Sequence, residues 1–337
     1  MKSGNFSCRV CGTIGEHEKY EVREMMFGTR EKFSYFQCKN CQCLQISEIP
    51  DNLGRFYPSD YYSLSLRPEP ETGNRAYRWL QKQVSRTALF DRGYKLNSIL
   101  KKFVDLPSEI HDPFAGLSTG NVIRKSGVTS FSAQILDIGC GSYSPWLTNL
   151  SRLGFENLTG ADPFIDSDHH YQNIHIYRRK VEEIDGKYDL ITLHHSLEHM
   201  PCQLDALLAI KSLLRPGGVC LIRIPLVSSY VWEKYGVNWV ELDAPRHLYL
   251  HSIKSIKHLG NLADLTLTDI VHDSLPFEFY GSEQYQRDIP LNAPQSLWRE
   301  PESSLFTEEE KEQFVKLAKR VNEDKSGGRA GFYFIKT

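Results

Sequence analysis

The sequence lacks any long hydrophobic run. No stretch reaches the roughly 18 consecutive apolar residues that a membrane-spanning helix requires. The N-terminus, MKSGNFSCRVCG, also lacks the apolar segment that characterises signal peptides. Together these two absences predict a cytoplasmic protein without a membrane span.

The sequence also has little net charge. Its 40 Lys and Arg residues oppose 42 Asp and Glu residues, for a formal net charge of -2. This balance does not suit a protein that binds nucleic acid mainly by neutralising phosphates, although a local basic patch would still allow it. With 337 residues, of which 40% are hydrophobic, the chain can form one large domain or two smaller ones.

Cysteine is present but unevenly placed, with five of the eight cysteines among the first 43 residues. Cys8 and Cys11 form one CxxC pair, and Cys38 and Cys41 form a second pair after 26 intervening residues. Paired cysteines in a reducing compartment indicate metal binding, and this spacing predicts a four-thiolate zinc site. Cys43 lies too close to Cys41 to join the same tetrahedron and is not predicted to be a ligand.

Short alternating stretches at residues 20–22 and 33–38 predict strands between and beside the two cysteine pairs. We therefore predict a small zinc ribbon over residues 1–66. Zinc binding, on the order of 10 kcal/mol, would be its main source of order. Basic and acidic residues alternate in the ribbon, which favours a structural or substrate-covering role over nucleic-acid binding.

A glycine turn follows the apolar run at residues 135–138. Asp137 lies within that run, and Gly139 and Gly141 open the turn after it. Glycines allow a ligand to approach the backbone closely, and the amides of a following helix can meet its polar groups. This arrangement is typical of nucleotide-binding strand–turn–helix units.

Strands and helices alternate after the glycine turn. The pattern predicts helices at residues 145–153 and 203–214, with strands at 157–162, 175–177, 188–193 and 219–225. Such alternation predicts a doubly wound parallel sheet that binds its ligand at the carboxyl ends of the strands. Asp162 ends the second of these strands. At this position one carboxylate can accept hydrogen bonds from both hydroxyls of a ribose.

The segments that flank this core are less regular. Residues 67–73 have the composition of a linker, and residues 74–103 show helical periodicity. We therefore expect a helical cap at residues 67–130 before the catalytic domain at 131–337. A polar insertion at 281–302 and a helix at 307–321 would follow. An antiparallel strand at 331–335 would then complete a seven-stranded sheet.

Four motifs in this order, LDIGCG, GAD, YDLITLHHSLEHM and LRPGG, resemble the class I S-adenosylmethionine-dependent methyltransferases over residues 130–275. The resemblance implies a seven-stranded Rossmann-like methyltransferase sheet and S-adenosylmethionine as cofactor. It also implies cofactor-binding roles for the first-motif residues, the ribose-binding acid and the end of strand four, which correspond to Asp137, Gly139, Gly141, Asp162 and His194. Tyr143 replaces the usual third glycine, and residues 178–183 include no obvious counterpart of the acid that binds the adenine amino group.

Two further interpretations of the fold and family follow. A nicotinamide-dependent dehydrogenase is the alternative fold, but its G-x-G-x-x-G fingerprint also lacks the third glycine here. The ribbon followed by YPSDYY resembles a subgroup that includes sugar C-methyltransferases and methyltransferases of polysaccharide clusters. Their proposed base is the His of a Tyr-Asp-Glu-His segment, which corresponds to His247 in APRH. Since the Tyr and Glu are absent here, C-methylation is left open.

Three histidines are candidates for the catalytic base. Methyl transfer to a hydroxyl requires a group that removes the proton, and histidine titrates near neutral pH. We rank His247 first because it follows strand five in a loop suited to covering the acceptor. His195 is second, and His199 could instead order the turn at Met200.

The sequence therefore predicts an S-adenosylmethionine-dependent methyltransferase with a structural Zn²⁺ held by Cys8, Cys11, Cys38 and Cys41. Its acceptor would be a small polar molecule, with a nucleotide-linked or polysaccharide sugar as a candidate, methylated on oxygen or carbon. The alternatives are an RNA-directed methyltransferase or nucleic-acid-binding protein that reads RNA with the ribbon, and an inert binding protein whose Tyr143 crowds the pocket.

Overall fold

The computed structural model describes residues 3–58, 75–90 and 117–337, which form two β-sheets and eight α-helices. The strands are β1 Ser3–Ser7, β2 Ile14–Arg23, β3 Lys32–Gln37, β4 Leu44–Ile46, β5 Gln134–Ile138, β6 Asn157–Ala161, β7 His169–Tyr171, β8 Ile174–Tyr177, β9 Tyr188–His194, β10 Leu214–Pro225, β11 Tyr249–Leu250, β12 Thr266–His272 and β13 Arg329–Ile335. The α-helices are α1 Arg75–Phe90, α2 Thr119–Lys125, α3 Pro145–Leu153, α4 Gln203–Leu213, α5 Tyr230–Tyr235, α6 Ile253–Leu262, α7 Pro276–Gln286 and α8 Glu308–Glu323.

The larger sheet has the order β12-β13-β10-β9-β5-β6-β8-β7. Strands β5, β6, β8, β9 and β10 pair in parallel, whereas β13 runs antiparallel to both β10 and β12. The α/β fold with a mixed sheet is confirmed, and the last strand is antiparallel as predicted. Within the described residues this larger sheet has eight strands rather than the predicted seven, because β7 adds an antiparallel edge to β8. The sequence of β7, HHY, has too few apolar residues to predict a strand.

Helices cover both faces of this sheet. On one face, α3 buries Leu147, Leu150 and Leu153 against β5, β6 and β8. On the other face, α4 and α6 are buried in a core that the smaller sheet shares. Local sequence sets the limits of α3: Ser144 caps its start by accepting from the Leu147 amide, and Gly154 ends it at φ 108°. This is the doubly wound arrangement.

The smaller sheet has the order β1-β2-β3-β4-β11 and is antiparallel throughout. Its last strand comes from far along the chain, since Tyr249 pairs with Gln45 and Leu250 with Leu44. Its core is continuous with that of the larger sheet. The ribbon therefore has a second source of order beside the predicted zinc, because it also buries apolar side chains against the rest of the molecule.

Two local predictions need correction. Strand β10 already begins at Leu214, because the LRPGG segment pairs with β9 before the register shifts at Val219. Helix α7 takes up the start of the predicted polar insertion at 281–302, since Pro276 and the Glu278 capping box begin a helix there.

Some predictions fall outside the described residues. These are the linker at 67–73, the aromatic residues Tyr61 and Tyr62, and the second half of the helical segment at 74–103. The ends proposed for the three domains stay predictions. None of the helices in the described ranges is long and apolar enough to cross a membrane.

Candidate active site

The glycine turn lies at the carboxyl end of β5, where it passes close to the end of β9. Gly139 adopts φ 72° and Gly141 φ 66°, a region that other residues rarely occupy. A Cβ atom on Gly139 would lie only 2.4 Å from Cβ of Ser196. Ser196 in turn donates to the carbonyl oxygen of Ile138 at 2.9 Å. The turn therefore requires glycine for its conformation and, at position 139, for the close approach of the neighbouring strand.

Asp137, predicted to bind the cofactor, accepts hydrogen bonds from two side chains of the protein. It is 3% exposed, and its two oxygens accept hydrogen bonds from Ser144 at 2.7 Å and Thr192 at 2.8 Å. Burial raises the pKa of Asp137 to about 6, although the two hydroxyls oppose that shift. The carboxyl group thus ties the start of α3 and strand β9 to the strand that carries the glycine turn.

Asp162 lies directly after β6 and beside the glycine turn. Its Oδ2 accepts from the amide of Gly141 at 2.9 Å, and its Oδ1 accepts from the amide of Phe164 at 2.8 Å. Each carboxylate oxygen can accept a further hydrogen bond, so a ribose hydroxyl could still bind here. The neighbouring Phe164 ring is 80% exposed. An exposed aromatic ring next to this acid provides a surface for a planar base, which the sequence did not indicate.

Tyr143 takes the place of the third glycine of the motif. Its ring packs against Tyr171 of β7, with centroids 5.3 Å apart, and is 8% exposed. The hydroxyl of Tyr171 also accepts from the amide of Ser144 at 3.0 Å. The additional strand β7 therefore provides the surface that accommodates the side chain of Tyr143.

His194 ends β9 beside the first turn of α3. Its ring lies 5.1 Å from that of Trp146, and Nε2 of His194 has no hydrogen-bond partner among the described residues. Burial and the nearby Arg223 lower the pKa of His194 to about 3. The imidazole is therefore neutral at physiological pH.

His195 and Glu198 follow at the end of the same strand. His195 adopts φ 52°, an uncommon conformation for a residue with a side chain, and its amide donates to Arg223 at 2.9 Å. Nδ1 of His195 lies 3.4 Å from Oε1 of Glu198. Glu198 is fully buried. Neither of its oxygens, nor Nε2 of His195, has a hydrogen-bond partner within the described part of the chain.

The other two candidate bases are tied to the backbone. His199 donates from Nδ1 to the carbonyl oxygen of Arg246 at 2.9 Å, and the hydroxyl of Tyr57 lies 3.1 Å from the same nitrogen. His247 donates from Nδ1 to the carbonyl oxygen of Glu241 at 2.7 Å, and its Nε2 lies 3.9 Å from Glu198. Burial lowers the pKa of both histidines, that of His199 to about 3. The structure thus brings all three predicted bases around one buried carboxyl group.

A network of charged side chains adjoins these histidines. Arg223 pairs with Asp273, and Arg329 contacts Asp273 at 3.2 Å and Glu241 at 3.4 Å. Arg223 is the neighbour of His194 in the register of β10 with β9. Burial raises the pKa of Glu241 to about 7, against the effect of Arg329. The sequence did not predict this network, since its members are spread over residues 223–329.

The four predicted zinc ligands lie together in the ribbon. Their Sγ atoms are within 4.8 Å of one another, with 3.6 Å between those of Cys8 and Cys41 and between those of Cys11 and Cys38. A tetrahedral site with Zn–S bonds of about 2.3 Å places sulfurs about 3.8 Å apart, so this donor set fits zinc. Cys43 is fully buried outside the group and contacts the carbonyl oxygen of Leu44 at 3.6 Å.

The ribbon is fixed to the histidine cluster by buried polar contacts. Arg246 is fully buried and binds Glu24 of the ribbon at 3.1 Å as well as Asp243 at 2.9 Å. The hydroxyl of Tyr35 in β3 donates to the carbonyl oxygen of His247 at 2.8 Å. The ribbon therefore forms part of the wall behind the candidate bases.

A family model described as a methyltransferase domain matches residues 85–270, more than half of the chain. The chain belongs to this methyltransferase family. The predicted S-adenosylmethionine-dependent methyltransferase is thereby confirmed at the level of the family, and the dehydrogenase alternative is left without support.

Individual methyltransferases resemble the chain at low sequence identity. It is 27% identical to the ubiquinone biosynthesis O-methyltransferase of Paraburkholderia xenovorans (strain LB400) over 209 residues, which cover 53% of this chain and 89% of the relative. The same enzyme from Paraburkholderia phytofirmans is 27% identical over 197 residues, or 51% of this chain and 84% of the relative. Among solved structures, the geranyl diphosphate C-methyltransferase of Streptomyces coelicolor A3(2) has 12% identity and a TM-score of 0.44, covering 85% of this chain and 98% of that one.

The methyltransferase site contains residues that the motifs did not reveal. Glu198 was visible as part of HSLEH, which resembles the acidic metal motif of the ubiquinone-pathway O-methyltransferases with His195 in place of its first Glu, but the motif does not show that the acid is buried. Its burial follows from the 3₁₀ turn Leu197–His199, which directs the side chain inward from the end of β9. Arg223 was hidden inside an apolar strand, although a lone Arg in such a strand is itself a signal of a buried partner.

Proposed function

We propose that this methyltransferase transfers the methyl group of S-adenosylmethionine to a hydroxyl of a small polar acceptor, with a nucleotide-linked or polysaccharide sugar as the first class to test. The observation that carries the proposal is a wall of buried polar atoms at the carboxyl edge of the sheet. These atoms lack hydrogen-bond partners among the described residues: Arg223 Nε, Asp273 Oδ1, Glu241 Oε2, Arg329 Nε and His195 Nε2.

Buried polar atoms without partners are unfavourable, by about 1–3 kcal/mol each. A ligand with several hydroxyl groups can donate to the carboxylates and accept from the arginines, so it would satisfy both kinds of atom. An apolar acceptor would leave them all unpaired. The wall therefore favours an acceptor rich in hydroxyl groups.

The charged groups of this wall also indicate whether the acceptor is anionic. Arg223 and Arg329 share Asp273, and Arg329 contacts Glu241 as well. Because acids already offset both guanidinium groups, the wall offers little excess positive charge for phosphates. This argues for recognition through the hydroxyl groups of the acceptor rather than through an anionic part.

The cofactor would be held at the glycine turn, which Ser196 separates from this wall of polar atoms. Gly139 and Gly141 provide a turn without side chains, Asp162 provides acceptors for the ribose, and Phe164 provides a surface for adenine. S-adenosylmethionine would supply an electrophilic methyl group carried on sulfur. The role of the chain is to hold the acceptor hydroxyl in line with that group and to take up the hydroxyl proton, which falls to His195, His199 or His247.

We also propose that the ribbon binds one structural Zn²⁺ through Cys8, Cys11, Cys38 and Cys41. Gln45 donates to Sγ of Cys8 at 3.1 Å and Asn40 to Sγ of Cys11 at 3.7 Å. Such N–H···S contacts stabilise thiolates and orient them toward a metal.

Reading of RNA by the ribbon has less support. Several cations of the ribbon and its border are paired with acids: Lys32 with Glu21, Arg55 with Glu31, and Arg23 and Arg30 with Asp288. The buried contacts of Arg246 and Tyr35 fix the ribbon to the catalytic domain. Both observations favour a structural role at the acceptor side.

The test combines cofactor binding with a screen of acceptors. We expect calorimetry to show one S-adenosylmethionine site per chain, lost in Asp162→Ala. Transfer of a labelled methyl group is then measured with nucleotide sugars, polysaccharide fragments, phenols and RNA. Turnover of sugars without turnover of RNA would support the proposal. Failure to bind the cofactor, or exclusive methylation of RNA or phenols, would contradict it.

A further inference from the structure

We propose that Glu198 positions His195 as the general base, so that the two residues act as a carboxylate–imidazole pair. This inference rests on the proposed transfer to a hydroxyl. It assigns a positioning role to Glu198, and it ranks His195 above His247.

The first argument is the isolation of Glu198. Its side chain is fully buried, yet neither oxygen has a hydrogen-bond partner in the described ranges. An unsatisfied buried carboxyl group is costly in any folded protein. Burial raises the pKa of Glu198 well above its ordinary value. Such a group is retained for a reason other than stability, and groups of this kind occur mainly at functional sites.

The second argument is the direction of the nearest histidine. Nδ1 of His195 lies 3.4 Å from Oε1 of Glu198, while Nε2 at the other end of the ring has no protein partner within the residues described. Distances of this kind shorten when substrate binds. A histidine held at Nδ1 by a carboxylate keeps its Nε2 free of hydrogen and able to accept a proton.

The third argument is the state of the competing histidines. His199 and His247 both donate from Nδ1 to backbone carbonyl oxygens, and Nε2 of His247 faces Glu198. Both nitrogens of His247 are therefore directed at protein groups. Of the three candidates, His195 alone combines a carboxyl group at one nitrogen with an unpartnered second nitrogen. Its backbone at φ 52° is also strained, as is common for residues in active sites.

The charges around the pair explain why a carboxylate is needed. His195 faces Arg223 of β10 and Arg329 of β13, together with His194 and His247, and its burial and these groups lower its pKa well below the ordinary value. Glu198 itself faces Glu241, Asp243 and Arg329. The arginines and histidines around His195 disfavour its protonated ring, and Glu198, with Oε1 3.4 Å from Nδ1, is placed to oppose them.

The proposed step is balanced in atoms and charge. The acceptor oxygen forms a bond to the methyl carbon as the carbon–sulfur bond breaks, and the hydroxyl proton passes to Nε2 of His195. The positive charge that leaves sulfur thus reappears on the imidazole next to the Glu198 carboxylate. The proton is later released to solvent, which restores the pair.

The test uses the full chain with its metal and ¹⁵N-labelled histidine. The imidazole signals of His195, assigned with His195→Gln, are followed by NMR from pH 3 to 9 in wild type and in Glu198→Gln, a window that reaches below the lowered pKa of His195. We expect the apparent pKa of His195 to be at least one pH unit lower in Glu198→Gln, because the neutral amide cannot stabilise the protonated ring. Glu278→Gln is the matched control: Glu278 is equally buried but caps α7 and contacts Arg329.

This measurement does not depend on the identity of the acceptor. An unchanged titration in Glu198→Gln, or an equal change in Glu278→Gln, would overturn the proposal. So would a second bound metal ion that disappears with Glu198. If the wild type does not bind S-adenosylmethionine, the proposed function is wrong, but the titration result for His195 and Glu198 remains valid.

Turnover provides a second readout with any sugar that the screen identifies. We expect kcat of Glu198→Gln to fall about 10- to 100-fold, which is less than the roughly 10²- to 10⁴-fold contribution of a general base because His195 itself is still present. The acid limb of its pH profile should move to lower pH, with the cofactor affinity unchanged. A fall in kcat without movement of the acid limb would indicate a purely structural role and contradict the proposal.

Discussion

The contact between Arg246 and Glu24 leads to a prediction about how the ribbon is held. Arg246→Met keeps an unbranched apolar stem, two atoms shorter than arginine, and removes the charge and its hydrogen bonds. In the wild type, Arg246 is fully buried and binds Glu24 at 3.1 Å and Asp243 at 2.9 Å. Removing one partner of a buried ion pair leaves the remaining charge without compensation, which costs about 3–5 kcal/mol.

The pair has no simple replacement in the variant. Glu24 would keep its hydrogen bonds from Phe27 and Thr29, but Asp243 would lose its main cation. Burial alone would raise the pKa of Asp243, and Arg246 outweighs that effect and lowers it. We therefore expect most of the loss to arise from Asp243.

The assay is urea unfolding followed by tryptophan fluorescence at neutral pH. With a slope of about 3 kcal/mol per molar urea, a loss of about 3–5 kcal/mol lowers the midpoint by about 1–1.7 M. Arg30→Met is the matched control, because Arg30 pairs with Asp288 at the surface, where both side chains are about half exposed. Surface pairs contribute about 1 kcal/mol at most, so this midpoint should move by about 0.3 M or less.

A double variant tests whether the two groups act together. Glu24→Gln combined with Arg246→Met should be less destabilised than the sum of the single variants, since groups in one network do not act independently. Equal midpoints for Arg246→Met and Arg30→Met, or simple additivity in the double variant, would refute the view that this pair fixes the ribbon.

Three further predictions concern the glycine turn, the metal and the buried acid. In Gly139→Ala, calorimetry should detect no cofactor binding. Gly127→Ala is the control, because Gly127 also has a positive φ of 69° but no atom lies near the added Cβ; it should lose about 1–2 kcal/mol of stability and still bind the cofactor. Equal effects of the two variants on binding would mean that the contact with Ser196 is unimportant. Cys38→Ser should lose the bound zinc measured by mass spectrometry while Cys43→Ala keeps it, and loss of cofactor affinity along with the zinc would show that the metal supports more than the ribbon. Burial raises the pKa of Asp137 to about 6. Its contribution to the free energy of unfolding is therefore full below its unfolded pKa and is lost as the pH rises through 6. Asp137→Asn should remove that loss when unfolding is measured as a function of pH, and an unchanged profile would exclude Asp137 as its source.

The parts of the fold that sequence predicts well are those set by neighbouring residues. The glycine turn, the cap of α3 at Ser144 and the end of β6 at Asp162 each depend on a few adjacent side chains. The pairing of β11 with β4 joins residues about 200 positions apart, and nothing local in TyrLeu at 249–250 indicates its partner. Strand β7 escaped prediction because its stability comes from its hairpin with β8 and from the contact of Tyr171 with Tyr143.

The same distinction explains which site residues were found. The proposed cofactor side is formed by two short motifs, so Gly139, Gly141 and Asp162 could be identified directly from the sequence. The acceptor side is assembled from β9, β10, the loop before β11 and β13, and its charged groups meet only in three dimensions. Histidines stood out there because of their chemistry, whereas Glu198 and Arg223 gained their significance from burial, which periodicity does not reveal for a single polar residue.

This division of the site has a consequence for how the two substrates are controlled. Asp137, Ser144 and Thr192 connect the glycine turn to α3 and β9 without any contribution from the ribbon. The ribbon instead reaches the acceptor side, through Tyr35 on the backbone of His247 and Glu24 on Arg246. A disturbance of the ribbon should therefore alter acceptor turnover before it alters cofactor affinity. Since Glu198 lies between His195 and His247, it would sense such a disturbance through the second histidine.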